Sequence, residues 1–344
     1  MSGLPVVATA IGDPAGIGPE VCVKAIASGE LDGVCHPVLI GDVGVVKRAA
    51  AVSGVGLTVE RIDTPDRPAA RAGAIRVLDP GGFDVDACPF GQASAASGRA
   101  VLDWIRIGTE LGTSGRIQGL VMGPVDSGSL KLTRTVTDID SLQPPGTYML
   151  RMTGALRVVP LTEHVPLTEA VAATTPENVL KVVRILHENL LRWGLAHPRI
   201  AVAGLNPHAM FEEDRRRIGP GVEEARRLWI DASGPLSPDS VFRLALEGRY
   251  DAVVTMYHDQ GQIAVKTAAF EGACTVYLGL PYVLLNVPHG SAFDIAGKGI
   301  AQHLSMLAAM RTAAGLASGS ALQAPALQPA GARAPRQNRM EAKA

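Results

Sequence analysis

Three histidines directly follow aliphatic runs: His164 closes LRVVPLTEH, His208 closes IAVAGLNPH and His258 closes DAVVTMYH. Each sits among polar, tight-turning neighbours (Thr-Glu-His, Asn-Pro-His, Tyr-His-Asp-Gln). One such histidine can simply cap a strand or satisfy a loop hydrogen bond. Three together suggest more. If the runs are strands of one parallel sheet, their C-terminal ends share an edge, and that edge is where α/β proteins bind ligands. Three imidazoles gathered there can hold a divalent cation and leave a coordination position open for substrate. Imidazole suits zinc best, with magnesium, manganese and cobalt as alternatives. His36, His187, His197 and His303 read as structural or solvated.

Other chemistry lies close by in sequence. Asp259 adjoins His258 and can orient an imidazole or act as general base, while Lys266 lies eight residues beyond His258. A lysine there can neutralise a substrate anion or shuttle a proton, or it can be solvated as most lysines are. Two glycine-rich segments offer backbone N–H groups at helix starts, where phosphates bind. One is Gly12-Asp13-Pro14-Ala15-Gly16-Ile17-Gly18-Pro19-Glu20. The other is His289-Gly290-Ser291-Ala292 running to Gly297-Lys298-Gly299. Neither is the dinucleotide fingerprint or the P-loop, and a tight strand-to-helix turn explains both nearly as well.

The elements that must carry these residues are short aliphatic strands alternating with helices, the pattern of β-α units on a mostly parallel sheet. Strands are expected at 6–11, 37–40, 119–122, 156–161, 200–204 and 252–256. A helix should start at Pro19, and another over 178–193 behind Thr175-Pro176-Glu177. Residues 290–309 read as a further glycine-led helical stretch. From about Ser318 the chain turns to alanine, proline and glutamine with sparse Arg333, Arg336, Arg339 and Lys343, a composition expected to be disordered.

A length of 344 residues suits two modest domains or one large α/β unit. Hydrophobic residues make up 47% and aromatics 4%, with 38 glycines and 24 prolines, which favours small aliphatic strands over an aromatic-rich sandwich. A net charge of −1 gives no bulk pull toward nucleic acid or anionic membrane. The four scattered cysteines form no C-x-x-C pair, no apolar run is long enough to span a bilayer, and the N-terminus lacks signal-peptide features. A cytoplasmic protein is expected, with neither nucleic acid nor membrane as partner.

The segments GDPAGIGPE, YHDQG followed by Lys266, and HGSAFDIAGKG, with LNPHA and GPLSPDSVF, resemble the 4-hydroxythreonine-4-phosphate dehydrogenase family of pyridoxine biosynthesis from about residue 6 to 315. The resemblance implies two α/β/α domains around a central cleft, of the isocitrate/isopropylmalate dehydrogenase type. They are expected at 1–122 plus 275–317 and at 123–274, with 318–344 as the tail. It also implies a homodimer sharing its metal between subunits. By motif, His164, His208 and His258 fall on the metal ligands, and Lys266 on a substrate-binding lysine. Lys266, Asp259 and Asp239 are the catalytic candidates. Gly12, Asp13, Gly290, Ser291, Ala292 and Asp294 are the candidates for NAD, with NADP as an alternative. The implied reaction is oxidation of a metal-held secondary alcohol by the nicotinamide, followed by loss of carbon dioxide from the β-keto acid.

Departures from the pattern bear on substrate. The stretch TRTVTDIDSLQPPGTYML lacks the Gly-His-Thr-Glu segment of phosphate-using members, and an Ala-Pro-x-x-Lys-like turn becomes Gly123-Pro124-Val125-Asp126-Ser127. Thr275 and Leu284 stand at the substrate positions of an asparagine and an arginine. An arginine-to-leucine exchange removes a bidentate partner for phosphate. The run Tyr282-Val283-Leu284-Leu285 would suit a ring, and Gly-Ser-Ala resembles the branch that oxidises terephthalate cis-dihydrodiol. A non-phosphorylated carboxylate diol is therefore the expected substrate. The alternatives are 4-hydroxythreonine 4-phosphate and threonate or erythronate phosphates. Outside the dehydrogenases, a metal-dependent hydrolase or lyase and a catalytically silent binding protein remain competing readings.

Overall fold

The computed structural model describes residues 3–65, 74–136, 139–154, 156–268 and 274–322. Its strands are β1 (Val6–Ala10), β2 (His36–Ile40), β3 (Val59–Ile62), β4 (Ile75–Leu78), β5 (Gly119–Met122) and β6 (Tyr148–Thr153), then β7 (Leu156–Pro160), β8 (Ile200–Ala203), β9 (Ala232–Leu236), β10 (Ala252–Thr255), β11 (Cys274–Leu278) and β12 (Val283–Asn286). Every strand expected from the aliphatic runs is present within a residue or two. The runs GLVM, IAVA and AVVT are buried along their whole length, as strands covered by helices on both faces must be.

These strands form one sheet in the order β3-β4-β2-β1-β5-β12-β11-β6-β7-β10-β8-β9. The group from β3 to β12 is parallel throughout. So is the group β7-β10-β8-β9. Between them the pairs β12–β11, β11–β6 and β6–β7 are antiparallel. The sheet therefore runs unbroken through both of the segments that the sequence assigns to separate domains. β6, β11 and β12 escape the aliphatic-run reading because they carry Arg151, Thr275 and Asn286 among their apolar residues.

Helix Pro176–Arg192 starts where expected, with the Thr175 hydroxyl accepting the Asn178 N–H. Its residues Val179, Val182, Val183, Leu186 and Leu190 are fully buried, the i, i+3, i+4 face that the sequence displays. The helical reading of 290–309 is corrected. Residues 290–303 are turns and extended chain, and the helix is Leu304–Ala317. Gly297 and Gly299, both at positive φ, keep the chain turning until His303. The last helix ends at Ala317, yet Leu322 is buried, so the expected tail begins with residues packed on the core. The rest of that tail, 323–344, lies outside the described residues.

Cys22, Cys35 and Cys88 are buried and Cys274 is half-buried, all as free thiols. Burial pushes Cys22 far up, Cys35 up to about 12 and Cys274 to about 11. No helix among the described residues is long and apolar enough to cross a membrane.

Candidate metal centre

β7, β10 and β8 are adjacent and parallel, so their C-terminal ends share one edge. Cross-links lace that edge. The Leu161 N–H donates to the Thr255 carbonyl at 2.7 Å and the Thr162 hydroxyl to the Met256 carbonyl at 3.0 Å. Gln260 accepts the Met256 N–H and donates to the Gly204 carbonyl, both at 2.8 Å, which ties the end of β10 to that of β8.

The lacing brings His164 and His258 together, with ring centroids 5.0 Å apart and planes tilted by 50°. One ligand atom each from Glu163, His164 and His258 lie within 4.8 Å of one another. His258 opens the helix His258–Ala268, and its Nδ1 lies 2.7 Å from Asp259 Oδ1. An ionised carboxylate only accepts, so in the neutral ring this contact favours the proton on Nδ1 and leaves the Nε2 lone pair for a cation. This bears on one of the two roles expected of Asp259, that of orienting an imidazole.

Helix placement depends on Gly261. A Cβ there would stand 2.7 Å from Val158 Cγ1 and 2.8 Å from Thr255 Oγ1. Gly261→Ala is expected to push the helix off β7 and β10 and carry His258 from His164. Divalent-cation affinity should fall about tenfold or more, read by calorimetry on folded protein. Unchanged affinity would mean the packing has slack.

His208 does not join the group. It lies in a left-handed turn (φ 55°) of the short helix Pro207–Ala209. Buried Asp214 fixes that loop by accepting the Leu205 and Asn206 N–H groups at 2.7 and 3.1 Å. His208 is 63% exposed, with Nδ1 3.2 Å from Ser237 Oγ and 3.5 Å from Asp239 Oδ2. The Ser237 hydroxyl, helped by His208, holds Asp239 below the usual carboxylate range. His208–Asp239 is thus a solvent-facing histidine–carboxylate pair, beside the His258–Asp259 pair in the group.

Lys266 is exposed in the last turn of the same helix as His258, about 12 Å along the axis from it. It shares a face with Asp259, seven residues back. Thr275 is half-buried on β11, paired with Arg151 and Asn286. Leu284 needs correcting as a substrate contact: it is 1% exposed in the middle of β12, between β5 and β11. Tyr282, Val283 and Leu285 are likewise buried, and Tyr282 and Val283 border a cavity together with Trp193 and Leu316.

The glycine-rich candidates gather at the ends of β1, β5 and β12. The Pro124 carbonyl accepts the Asp13 N–H at 2.9 Å and the Ser291 hydroxyl at 3.4 Å, and the Ser291 carbonyl accepts the Ile17 N–H at 2.9 Å. Gly12, Asp13 and Ser291 are buried, Ala292 is half-buried, and Gly290 and Asp294 are exposed. Asp13 and Ser291 therefore use polar groups to close the loops, and no helix begins at 290 to aim its N–H groups outward.

Burial, opposed by Ser129 and the Ala15 N–H, raises the Asp13 pKa. A raised carboxylate favours folding most below its unfolded pKa and loses that contribution as pH rises through the folded value. Asp13→Asn cannot titrate, so its melting temperature should gain on wild type from about pH 4 upward. A gap independent of pH in thermal melts would contradict this.

The sequence reading missed Glu163, which it treated only as turn context, and its partner Arg151. Arg151 Nη1 and Nη2 donate to Glu163 Oε1 and Oε2 at 2.6 and 2.8 Å. The signal available was an acid adjoining a candidate ligand.

The profile of the family described as "Pyridoxal phosphate biosynthetic protein PdxA" matches residues 33–313. The chain belongs to the PdxA family. It is 44% identical over 92% of its length to a Novosphingobium aromaticivorans protein named as a 4-hydroxythreonine-4-phosphate dehydrogenase, 96% of which is covered. A Symbiobacterium thermophilum relative named as a D-threonate 4-phosphate dehydrogenase is 38% identical, with 91% of this chain and 97% of that one covered. Among solved PdxA-like structures, a 4-hydroxythreonine-4-phosphate dehydrogenase from Burkholderia phymatum superposes at TM-score 0.83 with 34% identity, covering 92% of this chain and 99% of that one. A terephthalate 1,2-cis-dihydrodiol dehydrogenase from Burkholderia xenovorans LB400 superposes at 0.70 with 28% identity, covering 90% and 97%. The PdxA match covers β2 to β12, leaving out only β1 among the strands, and includes all three histidines.

Proposed function

We propose that this PdxA-family chain is a dehydrogenase that uses NAD and a divalent metal to oxidise a secondary alcohol of a phosphorylated hydroxy acid. The observation that carries the reading is the His164–His258 pair at one laced edge, with Asp259 fixing the tautomer of His258. Two imidazoles and a neighbouring carboxylate are a donor set suited to zinc and its divalent neighbours. A divalent metal held by His164 and His258 would supply Lewis acidity at the substrate alcohol, and bound NAD would supply the hydride acceptor.

The chain's own residues do the rest. Asp259 keeps His258 Nε2 available. Lys266 Nζ offers a point charge for a substrate anion. His208, solvent-facing and braced by Ser237 and Asp239, is suited to complete the ligand set of a second copy, which makes the active form a homodimer.

The substrate reading moves from the diol to the phosphorylated alternative. The curated relatives at 44% and 38% identity carry phosphate-substrate names, whereas the diol enzyme stands at 28%. Leu284 and Leu285, half of the run invoked for a ring, are core. Where the oxidised carbon lies β to a carboxylate, the keto acid formed loses carbon dioxide as a consequence of its own structure.

The test is NADH formation by chelator-treated and metal-restored protein. The substrates are 4-hydroxythreonine 4-phosphate, D-threonate 4-phosphate and terephthalate cis-dihydrodiol. The phosphorylated acids should turn over only with metal and NAD. Faster turnover of the diol would reverse the substrate assignment. Turnover without nicotinamide reduction would replace the dehydrogenase by a hydrolase or lyase.

A further inference from the structure

Arg151 and Glu163 form a buried ion pair beside the candidate centre, with side chains 8% and 16% exposed. Arg151 comes from β6, in the antiparallel middle of the sheet, and Glu163 from the loop after β7, one residue before His164. Nη1 donates to Oε1 and Nη2 to Oε2, and Nη1 also donates to the Met149 carbonyl at 3.1 Å, which locks the fork in place.

Stability alone is a poor reason for such a pair. Desolvating two charges costs about as much as their attraction returns, and apolar residues of similar volume commonly do as well. Position gives a better reason. A Glu163 oxygen lies within 4.8 Å of ligand nitrogens of both His164 and His258. A carboxylate has roughly four lone-pair sites, and the arginine fork uses two. The others stay available to a cation.

We propose that Glu163 is a carboxylate ligand of the metal centre and that Arg151 is the positioning residue that aims it. One chain then presents a His-His-Glu set before any partner arrives, and exposed His208 adds to a centre that already has three donors. Arg151 is engaged by Glu163 and is not a substitute for the substrate arginine missing at position 284. The proposal rests on the metal-centre reading given above.

Cobalt(II) binding to chelator-treated, full-length protein tests it by calorimetry and by the visible absorption of the bound ion, with no catalysis required. Glu163→Gln should weaken cobalt about 10- to 100-fold and alter the absorption envelope. Arg151→Met should weaken it less, with partial recovery in Arg151→Lys. Glu163→Gln leaves a buried guanidinium facing a neutral partner, so the double variant Arg151→Met/Glu163→Met guards against misfolding by removing both charges. It should melt as a folded protein and still bind cobalt as weakly as Glu163→Gln. Wild-type affinity and spectrum in Glu163→Gln, or in the double variant should the single one not fold, overturn the ligand assignment. His164→Ala separates the two readings. If it alone loses cobalt, only the Glu163 proposal fails; if it binds like wild type, the metal-centre reading fails as well.

Discussion

Replacing His164 or His258 with alanine is expected to lower metal-dependent NADH formation by about a thousandfold or more while the protein still folds. Each change removes a donor from a group whose ring centroids stand 5.0 Å apart. His164 is exposed and the His258 side chain is 25% exposed, so the fold has little to lose. Cobalt affinity should fall with the activity, and circular dichroism should not change. Asp259→Asn offers a graded comparison. Its amide can accept the His258 Nδ1 proton without the charge, and a loss of about 10- to 100-fold is expected. If His258→Ala retains near-normal turnover with metal bound, the centre lies elsewhere.

The second large effect concerns complementation. His208→Ala and His164→Ala, each inactive alone, should regain activity when unfolded and refolded together. If a site takes His164 and His258 from one copy and His208 from another, each mixed dimer holds one intact site. Random pairing then restores about a quarter of wild-type activity. A His208→Ala/His164→Ala double variant refolded with wild type controls for simple dilution. No recovery in the mixture, with dimers present by light scattering, would place His208 in the same site as its own chain's His164, or outside the site.

Much of this was legible in the sequence, for identifiable reasons. Strands such as 200–203 and 252–255 are uniform aliphatic runs because helices cover both faces, and such runs stand out in a sequence. His164 and His258 were found because each directly follows one of those runs. What stayed hidden depends on pairing. Only strand order shows that β11 and β6 reverse direction between two parallel groups. Only register shows that Leu284 sits opposite Leu120 and Tyr277 in the core. Glu163 looked like turn context because its partner is Arg151, on a strand without a clean aliphatic pattern. The 290–303 stretch read as helix because its alanines favour one, whereas the positive φ at Gly297 and Gly299 is set by the fold.

The distribution of the cysteines has a practical use. Cys22, Cys35 and Cys88 precede β5, Cys274 begins β11, and no cysteine occurs between Cys88 and Cys274. The thiolate attacks a disulfide reagent, so burial shields Cys22, Cys35 and Cys88, and it also keeps Cys22 and Cys35 protonated. Labelling at the three N-terminal positions therefore requires local or global opening, and its rate measures how often the β1–β5 region breathes. Cys274, half-buried next to Thr275, should be labelled first. Because the β7-β10-β8-β9 group carries no sulfhydryl, labelling with and without cobalt would show whether filling the histidine edge steadies the far side of the molecule.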